Sequence, residues 1–202
     1  MPPLPRAKII AIFSAVGILV AACSTPNTAL AAERYEIDAS HTHVQFSVLR
    51  FGFADTIGTF TGVSGVISLD SHAPENSSVE VEIDVTSLIS GDASRDEAVL
   101  SKFWFNAGEF ATMSFKSISV ELDGDNRARV TGDLTLLGVS KPVTLDVTLN
   151  KISMDPATKR QAAGFSITGT LNRLDWGMET AANFVGRDVT IRIEALAHKI
   201  EE

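Results

Sequence analysis

The sequence predicts an all-β domain built from antiparallel strands, and three observations predict it. Apolar and polar side chains alternate with period two in six clear segments and three weaker ones, as they do when successive residues of a strand point to opposite faces. Each run is apolar on one face only, whereas parallel sheets bury both faces and read as continuous apolar stretches. Turn residues separate the runs, and no strand–helix–strand unit occurs between them.

In chain order, Tyr35–Asp38 is a weak run and Val44–Val48 a clear one, with Val44, Phe46 and Val48 on its apolar face. Gly58–Leu69 is weak and holds Phe60 and Ile67. Val79, Val81, Ile83 and Val85 alternate with Glu80, Glu82 and Asp84. In Thr112–Leu122 the apolar phase slips between Phe115 and Ile118, which predicts a bulge. Ala128–Leu136 carries Leu134 and Leu136, Val143–Leu149 carries Leu145 and Val147, and Phe165–Leu171 carries Ile167. Val189, Ile191, Ile193 and Ala195 close the series. Turns are expected at Asp123–Asn126, around Gly138 with Pro142, and at Asp155-Pro156. Eight or nine strands result, and both a closed barrel and a two-sheet sandwich fit the pattern.

Two segments stand outside the alternation. In Gly91–Phe110, Ser94-Arg95-Asp96-Glu97 reads as a capping box that opens a short helix, and Phe103-Trp104-Phe105 follows. Asp96 in that first turn complements the helix dipole or pairs with a neighbouring loop. Asn172–Gly186 carries Trp176, Met178 and Phe184.

Residues 1–31 read as a leader and 33–200 as one domain. Arg6 and Lys8 precede Ile9–Ala22, a 14-residue run with no charged side chain. A spanning helix needs about 20 residues, so the run is the apolar core of an export signal. Two processing sites compete. Ala29-Leu30-Ala31 before Ala32 suits a cleaved soluble protein, whereas Val20-Ala21-Ala22-Cys23 resembles a lipobox that makes Cys23 a candidate for lipidation. Either route delivers the protein to the periplasm, soluble or lipid-anchored to the envelope.

Composition excludes several function classes. The chain has 202 residues, 45% of them hydrophobic, and a net charge of −8. The leader holds two basic residues and no acid, which leaves 15 basic against 25 acidic residues, a charge of −10. Nucleic-acid binding rests on Lys and Arg neutralising phosphates, so it is not expected. One Cys rules out an intramolecular disulfide. His41 and His43 are spaced for one face of a strand, but His72 lies in a turn and His198 in the tail, so a metal site is not expected. No nucleophile motif, phosphate loop or paired carboxylates occur, and neither catalysis nor a cofactor is expected. Eleven Phe and two Trp accompany one Tyr. Apolar strand faces with aromatic inserts suit a barrel that holds an apolar ligand with aromatics at its mouth.

The order of segments resembles the YceI-like family of exported lipid-binding proteins over residues 35 to about 197. Tyr35-Glu36-Ile37-Asp38 leading to His41, Val44, Phe46 and Val48 is similar to the family's opening. Ile57-Gly58-Thr59-Phe60 with Gly65, then Arg95-Asp96, Ser101, Trp104-Phe105 and Phe110 to Phe115, follow in the same order. Leu134-Thr135-Leu136 with Gly138-Val139-Ser140-Lys141-Pro142-Val143 resembles its most recognisable hairpin. Gly164-Phe165, Asn172-Arg173 and Asp175-Trp176-Gly177-Met178 complete the likeness.

The resemblance implies an extended lipocalin-like barrel of about eight antiparallel strands with a long apolar pore. It also implies a polyisoprenoid ligand, an isoprenoid quinone or a prenyl phosphate, with no enzymatic activity. The pore wall and mouth are then Val44, Phe46, Val48, Phe60, Ile67, Val81, Ile83, Phe103, Trp104, Phe105, Phe115, Leu134, Leu136, Leu145, Val147, Phe165, Ile167, Trp176, Ile191 and Ile193. Arg50 stands where many members have His, and Ala98 and Leu137 also replace frequent histidines. Arg50 is thus the candidate headgroup contact, as a charged donor. Membrane contact is expected only through a lipid anchor or ligand exchange, and the sequence names no protein partner. The alternative is a filled barrel that docks on an envelope protein through its inserts, with Trp104 and Trp176 as hot spots.

Overall fold

The computed structural model of the protein describes residues 32–201, so the leader, Cys23 and the Ala29–Ala31 site lie outside the described residues. The strands are β1 (Glu33–Ile37), β2 (His43–Arg50), β3 (Ala54–Phe60), β4 (Val63–Leu69), β5 (Ser78–Asp84), β6 (Leu88–Ile89), β7 (Thr112–Leu122), β8 (Arg127–Leu136), β9 (Val139–Met154), β10 (Gln161–Asn172) and β11 (Val185–Lys199). Among the described residues one α-helix, α1 (Ala93–Leu100), lies between β6 and β7. All strand pairings are antiparallel.

Three pairs of strands run end to end: β1 with β2, β3 with β4, and β5 with β6. β11 pairs β2 along Glu194–Val185 and β1 along Ala197–Lys199, so β1 and β2 form one interrupted strand. β3 and β4 pair those two in turn, while β5 and β6 pair β4 and β3. The result is an eight-stranded up-and-down barrel, closed between its first and last strands. The ring of pairings closes, although Ala54–Gly58 of β3 is paired on one side only, and closure decides for a barrel over a sandwich.

The interruptions have a local chemical cause. Asp38 accepts a hydrogen bond from the Ser40 amide, and Asp84 accepts one from the Thr86 amide, each opening a 3-10 turn that breaks a strand. Between β3 and β4 the breach is bridged by the Thr61 amide to Ser87 Oγ (3.1 Å) and the Asp84 amide to the Gly62 carbonyl (2.8 Å). Thr42, 1% exposed, donates to the Leu196 carbonyl and accepts from the Leu196 amide. Gly65 has φ +152°, and a Cβ there would lie 2.8 Å from Val81 Cα and against the Glu80 carbonyl oxygen. Only glycine allows that close approach of neighbouring strands.

Several details differ from the sequence expectation. The cap of α1 is Asp92, whose carboxylate accepts from the Arg95 amide (2.8 Å), because Ser94 lies already inside the helix. Asp96 instead accepts from the Ser90 amide, the loop-pairing role. The β8–β9 turn is Leu137-Gly138, with φ of 53° and 71°, and Pro142 lies inside β9 opposite Asp133. The expected bulge in β7 is present, with a register shift between Ser117 and Ser119.

The barrel has two unlike ends. One carries only short connections, 70–77, 123–126 and 155–160, and is called here the turn end. The other, the insert end, carries the 90–111 and 173–184 segments. Tyr35, Ala163, Phe165 and Ala197 form a small core beneath the turn end. The larger core, including Phe60, Val85, Phe105, Trp176 and Met178, sits beneath the inserts.

The histidines are not arranged as their spacing suggests. His41 lies in the turn after β1 and pairs with Asp38 at 2.9 Å, whereas His43 starts β2, so no strand face unites them. His198 belongs to β11 and is 5% exposed. Its Nε2 meets Asp155 at 3.0 Å and its Nδ1 lies 3.7 Å from Asp38, which ties the β9–β10 turn to the barrel seam. The His198 hydrogen bond, helped by the Ala157 amide and the Thr158 hydroxyl, holds the Asp155 carboxyl well below the usual carboxylate range. Asp38 is lowered to about 2, first by the Ser40 hydroxyl and further by His41.

A carboxylate with a depressed folded pKa stabilises the fold above its unfolded pKa of about 3.9 and loses that contribution as pH falls through the folded value. The melting temperature is therefore expected to drop between about pH 4 and pH 2. Asp155→Asn should lower it at neutral pH and make the acid drop shallower. An unaltered acid profile in that variant contradicts this role for the cluster.

Candidate ligand pore

Period-two alternation directs one face of every long strand inward, and in a barrel of eight strands those faces meet around an axis. Here they do not fill it. A cavity of about 520 Å³ runs along the axis from Arg50 and Arg95 at the insert end to Ser77 and Asn126 at the turn end. Its wall takes Val44, Phe46 and Val48 from β2, Phe60 from β3, Ile67 from β4, and Val81 and Ile83 from β5. Phe115, Leu134, Leu136, Leu145 and Val147 follow from β7 to β9, and Phe165, Ile167, Ile191 and Ile193 from β10 and β11. Cross-strand partners share the lining: Ile191 stands opposite Phe46, Ile193 opposite both Ile167 and Val44, and Phe115 opposite Leu134 and Val81.

The insert end is a lid made by α1 and the residues after it. Arg95, Ala98 and Val99 face the cavity, the i, i+3, i+4 stripe of a helix. Phe105, 8% exposed, descends into the barrel and packs on Phe46 and Phe60, with ring centroids 6.3 and 5.4 Å away. Trp104 lines the cavity with its ring 5.2 Å from the Arg173 guanidinium carbon.

Two aromatic residues stand elsewhere than the sequence suggests. Phe103 is 63% exposed and lies outside the cavity lining, because Trp104 and Phe105 turn inward and leave it on the outer face of the insert. Trp176 is 3% exposed and also outside the lining. Its Nε1–H donates to the Leu134 carbonyl at 3.1 Å, which makes it a buried strut behind the wall and removes it from any docking surface.

The lining also takes residues outside the pore set expected from the sequence. Val143 shares the face of Leu145 and Val147, and Val130 that of Leu134, so the same period would have found both. Arg173 and Met178 lie in the 173–184 insert, where no period exists to assign a face.

Arg173 is 2% exposed, and its guanidinium donates to three carbonyls: Gly186 (2.8 Å), Val185 (3.0 Å) and Met178. It thereby fastens the insert to the start of β11, while burial lowers its pKa. Arg50 is exposed at the mouth, its guanidinium carbon 4.4 Å from the Phe51 ring centroid. Arg95 donates from Nε to Ser90 Oγ and from Nη2 to the Ser90 carbonyl, both at 2.8 Å. The charged residues on the lining are these three arginines at the insert end and Asp125 with Arg127 at the turn end. Such a wall can take up a long apolar chain without any specific polar contact.

Known proteins share this architecture. A crystal structure of BcnA from Burkholderia cenocepacia superposes with a TM-score of 0.72 at 24% identity, covering 79% of this chain and 98% of that one. A polyisoprenoid binding domain from Saccharophagus degradans, implicated in plant cell wall breakdown, gives a TM-score of 0.62 at 12% identity over 82% and 98% of the two chains. In sequence, a UPF0312 protein of Pseudomonas putida is 37% identical over 174 residues, 85% of this chain and 90% of that protein. Residues 35–197, the whole barrel but for its first and last few residues, match the YceI-like domain, and the chain belongs to the YceI-like family.

Proposed function

We propose that the protein is an exported binding protein of the cell envelope that holds a long polyisoprenoid lipid, an isoprenoid quinone or a prenyl phosphate, along its barrel axis for transport or storage. The observation that carries this reading is the apolar cavity of about 520 Å³ that extends between the two ends of the barrel. Membership of the YceI-like family supports it, as does the fold shared with a domain described as polyisoprenoid binding. Export rests on the leader, with its apolar run and its two processing sites.

Binding here is an exchange of apolar surface between water and the wall. Each buried CH₂ contributes about 0.8 kcal/mol, so one isoprene unit is worth a few kcal/mol before ordering costs. Affinity for isoprenoid quinones of increasing tail length should therefore rise with each unit and level off once the pore is full. Tryptophan fluorescence titration measures this, since Trp104 faces the cavity. Affinity that does not depend on tail length overturns the reading.

A second reading draws on the surface. Phe53 is 91% exposed, and Phe103 and Phe184 are more than half exposed at the same end. Such residues suit an interaction module that docks on an envelope protein. It requires no ligand, and the tail-length series separates the two.

A further inference from the structure

Four exposed phenylalanines gather at the insert end. Phe53 is 91% exposed, Phe103 63%, Phe184 60% and Phe51 47%. They stand on three separate loops: the β2–β3 turn, the residues after α1, and the end of the 173–184 segment. Hydrogen bonds join those loops into one platform. The Phe51 amide donates to the Phe184 carbonyl at 2.6 Å, and the Thr180 hydroxyl donates to the Phe103 carbonyl. The β2–β3 turn is itself fixed, with Phe51 and Gly52 at φ of 51° and 74° and the Phe53 amide on the Arg50 carbonyl (3.0 Å). Phe53 is thus held with almost its whole ring in water, which marks a contact surface.

Each loop also carries a base beside its phenylalanine. The Arg50 guanidinium lies 4.4 Å from the Phe51 ring centroid and the Lys102 ammonium 5.4 Å from that of Phe103. Arg187 shares a surface groove with Phe51 and Phe184. Among the described residues none of these three bases has a carboxylate within 4.0 Å, whereas Lys116, Arg127, Arg129, Arg192 and Lys199 each do. Exposed acids such as Asp55, Glu97 and Glu179 stand at the same end, so the charge is mixed and the rings supply most of the attraction. Apolar tips flanked by bases suit a lipid interface, where rings enter the headgroup region and bases meet lipid phosphates. A protein hot spot is instead one closely packed patch, and these rings project from separate loops.

We infer that the insert end docks on a lipid bilayer, with Phe53, Phe103 and Phe184 entering the interface and Arg50, Lys102 and Arg187 at the level of its phosphates. The choice of a lipid surface rests on the pore reading above. Arg50 and Trp104, the chain neighbours of Phe51 and Phe103, line the cavity, so a docked barrel sets its mouth against the phase in which an isoprenoid dissolves. The ligand then passes between bilayer and pore without crossing water, a step whose cost grows with every exposed CH₂.

Vesicles that contain no isoprenoid test the docking apart from the pore. They are made of phosphatidylcholine, alone or with an equal amount of phosphatidylglycerol, and each protein carries Cys23→Ser to remove the candidate acylation site. Phe53→Trp serves as a reporter and should fold, since residue 53 is exposed, and His72→Trp on the exposed 70–77 connection is its counterpart at the turn end. The emission added at position 53 should shift to the blue on vesicles and be quenched by brominated phosphatidylcholine, while that added at position 72 should not change. Phe53→Gln with Phe103→Gln should lower vesicle affinity about tenfold or more, because two rings no longer leave water. Phosphatidylglycerol should strengthen binding severalfold, an effect reduced by Lys102→Gln and by high salt. Unchanged emission at position 53 overturns the docking, and equal shifts at positions 53 and 72 overturn its assignment to the insert end. Failure to insert in a protein that still binds quinone in solution overturns the docking alone and leaves the phenylalanines to a protein partner. Insertion at position 53 only, in a protein that binds no quinone, upholds the docking and overturns the pore reading.

Discussion

Arg173→Ala is expected to destabilise the protein by about 2–4 kcal/mol, the cost of leaving several buried acceptors without donors. The residue is 2% exposed and its guanidinium holds the carbonyls of Met178, Val185 and Gly186 together. No other group is placed to replace it, because the segment between Met178 and Val185 has no strand ladder of its own. For a domain of this size the loss corresponds to a fall in melting temperature of about 5–15 °C. Arg173→Lys should recover only part of it, since an ammonium cannot present a planar fork to three acceptors. Urea unfolding of the three proteins measures the effect. A neutral alanine substitution contradicts the role assigned to this side chain.

Ile191→Trp separates an open pore from a filled one. Ile191 lines the cavity midway along β11, opposite Phe46 and Gly169. In a packed core the added ring forces neighbours aside and costs about 1–3 kcal/mol. In an open pore it enters empty space, so the melting temperature should hold or rise. Ligand affinity should fall by more than about a hundredfold, because a chain stopped at the plug loses the burial of every unit beyond it. Unchanged affinity in a stable variant contradicts the assignment of the axis as the binding path. A large loss of stability contradicts the openness of the interior.

Much of this architecture is legible in the sequence, and the exceptions have physical reasons. Runs such as Val79–Val85 and Val189–Ala195 reveal their inward face because alternation is a local property of extended backbone. The wall positions follow from the same rule. The division of the first three long strands is harder to see. It depends on Asp38 and Asp84 each closing a turn on a nearby amide, a feature that a hydrophobicity pattern does not register. Closure of the barrel depends on β11 pairing β1 with its last residues and β2 with the rest, a register set by contacts remote in sequence. The inserts were the least legible. Phe103, Trp104 and Phe105 are equivalent by composition, yet one faces solvent, one lines the cavity and one enters the core. Arg173 is marked in the sequence only by the family likeness, and only the fold brings its three acceptors to it.

The His198 cluster teaches the same lesson from the other end of the barrel. Near the C-terminus a histidine reads as part of a tail, but β11 carries it into the seam, where Asp155 and Asp38 approach it from turns 43 and 160 residues away. Those partners are visible only once the sheet has closed.

Native mass spectrometry of protein purified from an envelope fraction decides whether an isoprenoid chain occupies the barrel axis. Bound species whose masses differ by whole isoprene units are expected, released by organic extraction and lost in Ile191→Trp. A homogeneous apoprotein that also refuses added quinone and polyprenyl phosphate would contradict it.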